Sequence, residues 1–544
     1  MKKIIYLIFI STLFFACNSS KKQVDLFVKN ANIYTVNQDF DIATAFVVKD
    51  GKIVEVGETS DLEKKYNAKE VFDAEGKTIV PGLIDAHAHL YGLGLSMQSV
   101  DLTGAKSIEE ALLRIVDFQK THQMEFISGR GWDQNLWKEK EFPTKEALDS
   151  LFPDTPIALR RIDGHALWVN SKALELAQIT AETKVQGGEI ILKNNEPSGI
   201  LIDNPMELVN KIIPKTSRKN TIQALLDAEQ KALSYGLTTI DDAGLDKEII
   251  ELIDSLQKTG DFHLRIYAMV SNTASNRDYY LKKGIYKTDF LNVRSFKVYT
   301  DGALGSRGAA LREEYSDQHN HFGAMITTAD SLDYYAQLFL QAGFQMNSHA
   351  IGDSATISVL RVYKKTLENS PNQRWRVEHA QIISPEAFDY FSTNILPSVQ
   401  PTHATSDMYW AEERLGKKRI QNAYTYHSLL KKSGILPLGT DFPIEHVNPI
   451  YTFFSAVFRK DLHFWPDNGF QSNEALSRED ALRGMTIWAA FSNFEENEKG
   501  SLENGKFADF TVLDTDIMKA DEKDIPKTKV VATFINGKKI YSNN

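Results

Sequence analysis

The sequence predicts an α/β fold: a TIM-type (β/α)8 barrel with an inserted α+β subdomain, beside a small β-sandwich built from both chain ends. Three observations lead there. Eight apolar segments alternate with helical stretches, near 79–89, 237–242, 264–270, 293–299, 344–349, 374–379, 395–400 and 435–441, as in a parallel sheet wrapped by helices. About 145 residues separate the first segment from the second, far more than one crossover needs. Both ends of the chain are β-rich and carry matching hairpin signals.

The chain begins with Lys2 and Lys3 and an apolar run over 4–15, too short to span a bilayer comfortably. Residues 1–16 therefore read as a signal peptide. Cys17, the only cysteine, follows small Ala16. It is placed like the acylated cysteine of bacterial lipoproteins, although Phe14 stands where leucine is usual. The expectation is a lipid anchor on Cys17 holding the protein to a membrane of the cell envelope, in the periplasm or at the outer membrane. Cleavage to a free periplasmic protein is the alternative. Residues 17–23 read as a polar tether. A lone cysteine excludes an intramolecular disulfide and leaves the mature body no thiol for a thiolate metal site or a Cys nucleophile.

Residues 24–78 include a hairpin over 46–56, where Asp50-Gly51 supplies the positive φ angles of a tight turn. Residues 496–544 echo it with a strand over 508–513 and a hairpin over 533–540. Neither end has the apolar surface to fold alone, so the two are expected to form one composite β-sandwich. Residues 79–495 form the barrel domain, with the insert at about 95–220 lying over its mouth. Hydrophobic residues make up 42% of the chain and charged residues 25%, an ordinary globular composition. The net charge of −10 comes without any basic stripe, which excludes nucleic acid as a partner.

The chemistry gathers at strand ends. The first segment finishes Val80-Pro81-Gly82-Leu83-Ile84-Asp85-Ala86-His87-Ala88-His89. Residues i and i+2 of a strand share a face, so two imidazoles can converge on one metal. The other HxH of the chain, His319-Asn320-His321, follows no apolar strand and reads as loop. Lys297, His349, His379 and Asp441 fall at or near the ends of the fourth, fifth, sixth and eighth segments. Six ligand-capable side chains from five strands thus face one barrel mouth. A core does not collect four imidazoles, an amine and a carboxylate without a ligand, because unpaired buried polarity is costly.

The first of these motifs resembles the metal-binding signature of the amidohydrolase superfamily, and four more narrow the likeness to its YtcJ-like branch, amidohydrolase family 3. These are Phe296-Lys297-Val298-Tyr299-Thr300-Asp301-Gly302-Ala303-Leu304-Gly305-Ser306-Arg307, His349-Ala350-Ile351-Gly352-Asp353, Val377-Glu378-His379-Ala380-Gln381 and Leu438-Gly439-Thr440-Asp441-Phe442-Pro443. The resemblance spans essentially the whole mature chain. It implies a hydrolase that drives water onto a non-peptide C–N bond, amide or N-formyl, of a small-molecule substrate. His87 and His89 would hold the more buried divalent metal. Lys297 would carry a CO2-derived carbamate, and His349 and His379 would bind a second ion or complete a one-metal site. Asp441 would be the general base toward the attacking water, then the acid toward the leaving nitrogen. Zinc suits such an N/O ligand set, with Mn or Fe as alternatives.

Four further residues are candidates for touching substrate. His165 lies in an insert segment (160–170) that resembles a family segment. Trp132, in Gly129-Arg130-Gly131-Trp132-Asp133, would wall an apolar pocket or pack in a core. Arg307 would bind substrate or anchor its loop, and His403 ends the seventh segment. Two rival readings stand beside the hydrolase. One is a deaminase of the same superfamily, against which Lys297 argues. The other is a non-catalytic ligand-binding lipoprotein, against which the full ligand set argues.

Overall fold

In the computed structural model seven strands pair in parallel and in chain order: β1 (Leu83–Ala88), β2 (Leu237–Leu245), β3 (Arg265–Ser271), β4 (Leu291–Tyr299), β5 (Gln345–Ala350), β6 (Trp375–His379) and β7 (Ile395–Ser398). Residues 436–441 are hydrogen-bonded on both sides. Gly439 N donates to Val399 O at 3.0 Å, Ala86 N to Leu438 O at 3.1 Å, and Asp441 N to His87 O at 2.7 Å. This eighth segment thereby joins β7 to β1. The strands are apolar and almost wholly buried, as a sheet covered on both faces requires. The structure describes residues 21–162, 166–185, 188–214, 216–305 and 307–543. The expected signal peptide, Cys17, His165 and Ser306 lie outside them. Among the described residues no helix is long and apolar enough to cross a membrane.

The closing strand pair needs a glycine. A Cβ on Gly439 would stand 2.5 Å from His87 N and 2.9 Å from Asp85 Oδ1, so any side chain would push the eighth segment off β1. Asp85 occupies that space instead. Its carboxylate accepts from Thr440 N at 2.9 Å, Thr440 Oγ1 at 2.7 Å and His87 N at 3.2 Å, fixing the two metal-facing segments to each other.

The chain ends share a sheet. Thr78–Pro81, which leads directly into β1, pairs with Asn32–Tyr34 on one side and antiparallel with Phe510–Leu513 on the other. Val530–Ile535 and Lys538–Ser542 extend it. A second sheet contains Lys22–Lys29, Ala45–Lys49, Lys52–Gly57 and Tyr66–Asp73. Both expected hairpins turn on left-handed pairs, Asp50-Gly51 and Asn536-Gly537. The residues read as tether are partly strand: Lys22 and Gln23 pair in register with Tyr66 and Asn67, because a sheet edge offers even polar residues backbone partners. Beneath the barrel, Arg265 of β3 donates to both oxygens of Asp509, at 2.6 and 2.9 Å, and so ties the strands to the terminal sheet.

Residues 100–203 contribute a separate six-stranded sheet. Trp132 is fully buried there against Trp137 and Trp168, with its indole N–H on Leu159 O at 2.8 Å. It is a core residue of this sheet, not a wall of the substrate pocket. The Gly129-Arg130-Gly131-Trp132 run is part of the strand Ile127–Trp132.

Candidate metal centre

Strand direction puts the ends of β1, β4, β5, β6 and the eighth segment at one mouth, and their polar residues meet there. His87, His379 and Asp441 bring ligand atoms within 4.8 Å of one another, all buried. Lys297 Nζ lies 3.1 Å from His87 Nε2, and His89 Nε2 lies 3.1 Å from Asp441 Oδ1. The His349 and His379 rings stand 4.6 Å apart between centroids. His379 (φ 70°) and Asp441 (φ 65°) both hold left-handed backbone conformations, a local strain of about 1–3 kcal/mol each that surrounding structure must offset.

The electrostatics suit a cation. Burial, helped by the nearby Lys297 charge, lowers His87 to about 4 and His349 to about 3. Burial also takes His379 well below the usual histidine range. All three are neutral at physiological pH, the state in which imidazole offers a lone pair. Burial alone would raise Asp441, but hydrogen bonds from His403 and His89 hold it well below the ordinary carboxylate range. His379 Nδ1 and His349 Nε2 are buried and have no hydrogen-bond partner among the described residues. Buried, unsatisfied lone pairs beside an ionised carboxylate are what a divalent ion would fill, so the donor set fits one. Burial likewise lowers Lys297 to about 8, against the pull of Glu378 and Asp441.

Behind the ligands lies a second layer, in which sequence reading gives Arg376 and Glu378 no role. Glu378 Oε2 sits 2.5 Å from His87 Nδ1 and thereby leaves Nε2 to point at the centre. Arg376 grips Glu378, Asp241 at 2.8 Å and the carbonyl of Ala86. Its charge overcomes the effect of burial and lowers Glu378 to about 2. The signal was available: Arg376 and Glu378 are opposite charges two apart in a buried strand, where only pairing makes them tolerable. Asp301 accepts from the backbone N–H of Ala310, Ile351 and Gly352 and lies 3.6 Å from His349 Nε2, bracing the loops that follow β4 and β5.

A cavity of about 380 Å³ opens over the centre, lined by His89, Lys297, His349, His379 and Asp441. His403 lines it as expected, with Nε2 3.2 Å from Asp441 Oδ2 and Nδ1 3.2 Å from Glu445 Oε1. Burial opposes its charge, but the two carboxylates raise its pKa well above the usual histidine value. Arg307 does not reach the cavity. It is bonded to Asp317 at 2.8 and 3.1 Å and anchors its own loop. Its partner ten residues on decides the matter. His319 and His321 lie in that same loop, with His319 Nδ1 3.2 Å from Glu314 and His321 Nε2 2.8 Å from Arg307 O.

Residues 70–541 match the family model described as "Amidohydrolase family". The chain belongs to the amidohydrolase family. It is a hydrolase of the kind that acts on carbon–nitrogen bonds. This amidohydrolase is 32% identical over 538 residues to Protein LONG AFTER FAR-RED 3 of Arabidopsis thaliana, covering 95% of this chain and 91% of the relative. It is 30% identical to the putative amidohydrolase YtcJ of Bacillus subtilis, over 94% of this chain and 98% of that one. An N-substituted formamide deformylase of Arthrobacter pascens is 24% identical, over 94% and 97% of the two chains. Among solved structures, an uncharacterized metal-dependent hydrolase of Pyrococcus furiosus superposes with a TM-score of 0.76 at 26% identity, over 91% of this amidohydrolase and all of that protein.

Proposed function

We propose that this amidohydrolase is metal-dependent and cleaves a non-peptide C–N bond, amide or N-formyl, of a small molecule. The observation that carries this reading is the meeting of neutral, unsatisfied imidazoles with an ionised Asp441 under one cavity. His87, His89, Lys297, His349 and His379 would hold one or two divalent cations, zinc being the best match to the donors. A cation so held supplies Lewis acidity, bringing the pKa of a water toward 7 and polarising the scissile carbonyl. Asp441 accepts the proton of the attacking water and returns it to the leaving nitrogen. His403 donates to Asp441 Oδ2 and keeps that carboxylate ionised between turnovers. Glu378 orients His87. The Lys297 amine, poised by burial to lose its ammonium proton, would add to the carbon of CO2, the N–C bond forming as one C–O π bond breaks, and would release a second N–H proton to solvent, leaving a carbamate as an anionic oxygen donor. The likeness to a formamide deformylase supports the bond type.

The test is a screen of purified protein against N-formyl and N-acyl amines, with metal content measured on the same sample. Hydrolysis that tracks metal content is expected; metal-free hydrolysis, or ammonia released from amidines alone, would overturn the reading. Lys297→Ala should lose metal and regain part of it with a short carboxylic acid. We also propose that Cys17 carries a lipid anchor, so that Cys17→Ala moves the protein from the membrane to the soluble fraction.

A further inference from the structure

We propose that Asp407 selects the substrate: the cavity takes amides whose body bears a protonated amine, which Asp407 pairs and Trp410 covers. This rests on the hydrolase reading above and adds a substrate class to it. Asp407 ends the helix Pro401–Asp407 that follows β7, one turn after His403. Trp410 N donates to Asp407 O at 2.9 Å, so both side chains leave one tight turn, and both line the cavity.

The positive charge of this wall is His403. His403 lies between Asp441 and Glu445, and Glu445 also accepts from Ser406 Oγ at 2.5 Å. The protonated His403 one turn earlier also attracts Asp407, so three carboxylates, Asp441, Glu445 and Asp407, share one imidazolium, while the direct hydrogen-bond partners of Asp407 are neutral. Tyr424 Oη at 2.8 Å and Gln381 Nε2 at 3.4 Å both donate to its Oδ2, and among the described residues it forms no ion pair. Tyr424 is buried, and Gln381 lines the cavity beside Asp407. One imidazolium does not balance three carboxylates, and a largely desolvated carboxylate left under-compensated is costly unless a ligand supplies a further positive charge. Burial raises its pKa to about 6, which still leaves it mostly ionised at neutral pH.

Trp410 supplies the second half of an ammonium site. A Cβ on Gly305, in the loop after β4, would lie 3.3 Å from Trp410 Cη2. The glycine thus lets the indole close against the opposite loop and form a wall of the cavity. The indole, which Arg414 also approaches at 5.7 Å from the ring centroid, lines the same cavity as the carboxylate and adds cation–π attraction for an alkylammonium, while Leu304 and Ile444 offer apolar surface for its stem.

The test compares N-acetylputrescine with N-pentylacetamide, its neutral isostere, on the metal-loaded enzyme. Wild type should favour the cationic amide in kcat/KM by roughly tenfold to a hundredfold, the worth of one charged hydrogen bond. Asp407→Asn should collapse that ratio, and Trp410→Leu should lower it less. Equal rates in wild type, or a ratio untouched by Asp407→Asn because both rates fall alike, would overturn the proposal. Calorimetric binding of butylammonium and butanol to wild type requires no turnover. Tighter binding of butylammonium supports the site even if neither amide is cleaved, an outcome that would count against the hydrolase reading alone. Equal affinities overturn the site itself.

Discussion

At the barrel floor, Arg265 donates from all three guanidinium nitrogens, to Asp509, Asn536 and the carbonyl of Asp289, and lies 3.9 Å over the Phe507 ring. At the mouth, His349 Nε2 and His379 Nδ1 are equally buried and bonded to nothing described. Both regions bury polar groups, but Arg265 is satisfied and these two imidazole nitrogens are not. Satisfied burial fastens elements together. Unsatisfied burial at converging strand ends suits a ligand, and it persists because the fold around it is stable enough to carry the cost.

The contrast makes graded predictions. The largest effect is expected for Asp441→Asn. Activity should fall by about 10²–10⁴-fold, the usual worth of acid–base assistance, while metal content and melting temperature hold. Near-normal kcat would remove Asp441 from the chemistry. The floor should behave the opposite way. Arg265→Ala strands Asp509 and should cost about 3–5 kcal/mol in denaturant unfolding, with kcat per folded molecule unchanged. Loss of activity in excess of loss of fold would break the comparison. Glu378→Gln tests a satisfied residue at the mouth, the one that orients His87. It should weaken metal affinity by about 10–100-fold in titrations of the stripped protein. Trp132→Phe should have the smallest effect, about 1 kcal/mol of stability from the lost indole bond, with KM unaltered. A raised KM would return Trp132 to the substrate pocket.

What could be read from sequence was what strand geometry forces. The eight strand segments were legible because apolar runs of that length between helical stretches have few other uses. The candidate ligands were legible because each is a polar residue ending such a run. Residues whose roles depend on a distant partner were less so. Nothing local distinguishes Asp407 and Trp410, three apart near a helix end, from a solvated face. Arg307 and Trp132 sit in glycine-rich segments that resemble pocket loops, and only their partners Asp317 and Leu159 show that one anchors its loop and the other packs in a core.

The pairing of Thr78–Pro81 with Phe510–Leu513 also sets an order in time. A ribosome delivers the strand that carries His87 and His89 early, but its lead-in gains one sheet neighbour only when Phe510–Leu513, near the end of the chain, arrives. Contacts between such distant parts form slowly, because the loop between them must close first. Until then a buried, apolar strand edge remains open to the wrong partner. Maturation of the metal-facing strand is thereby coupled to completion of synthesis, so a chain truncated before residue 510 would leave the ligand-bearing strand poorly anchored even though every ligand had been made.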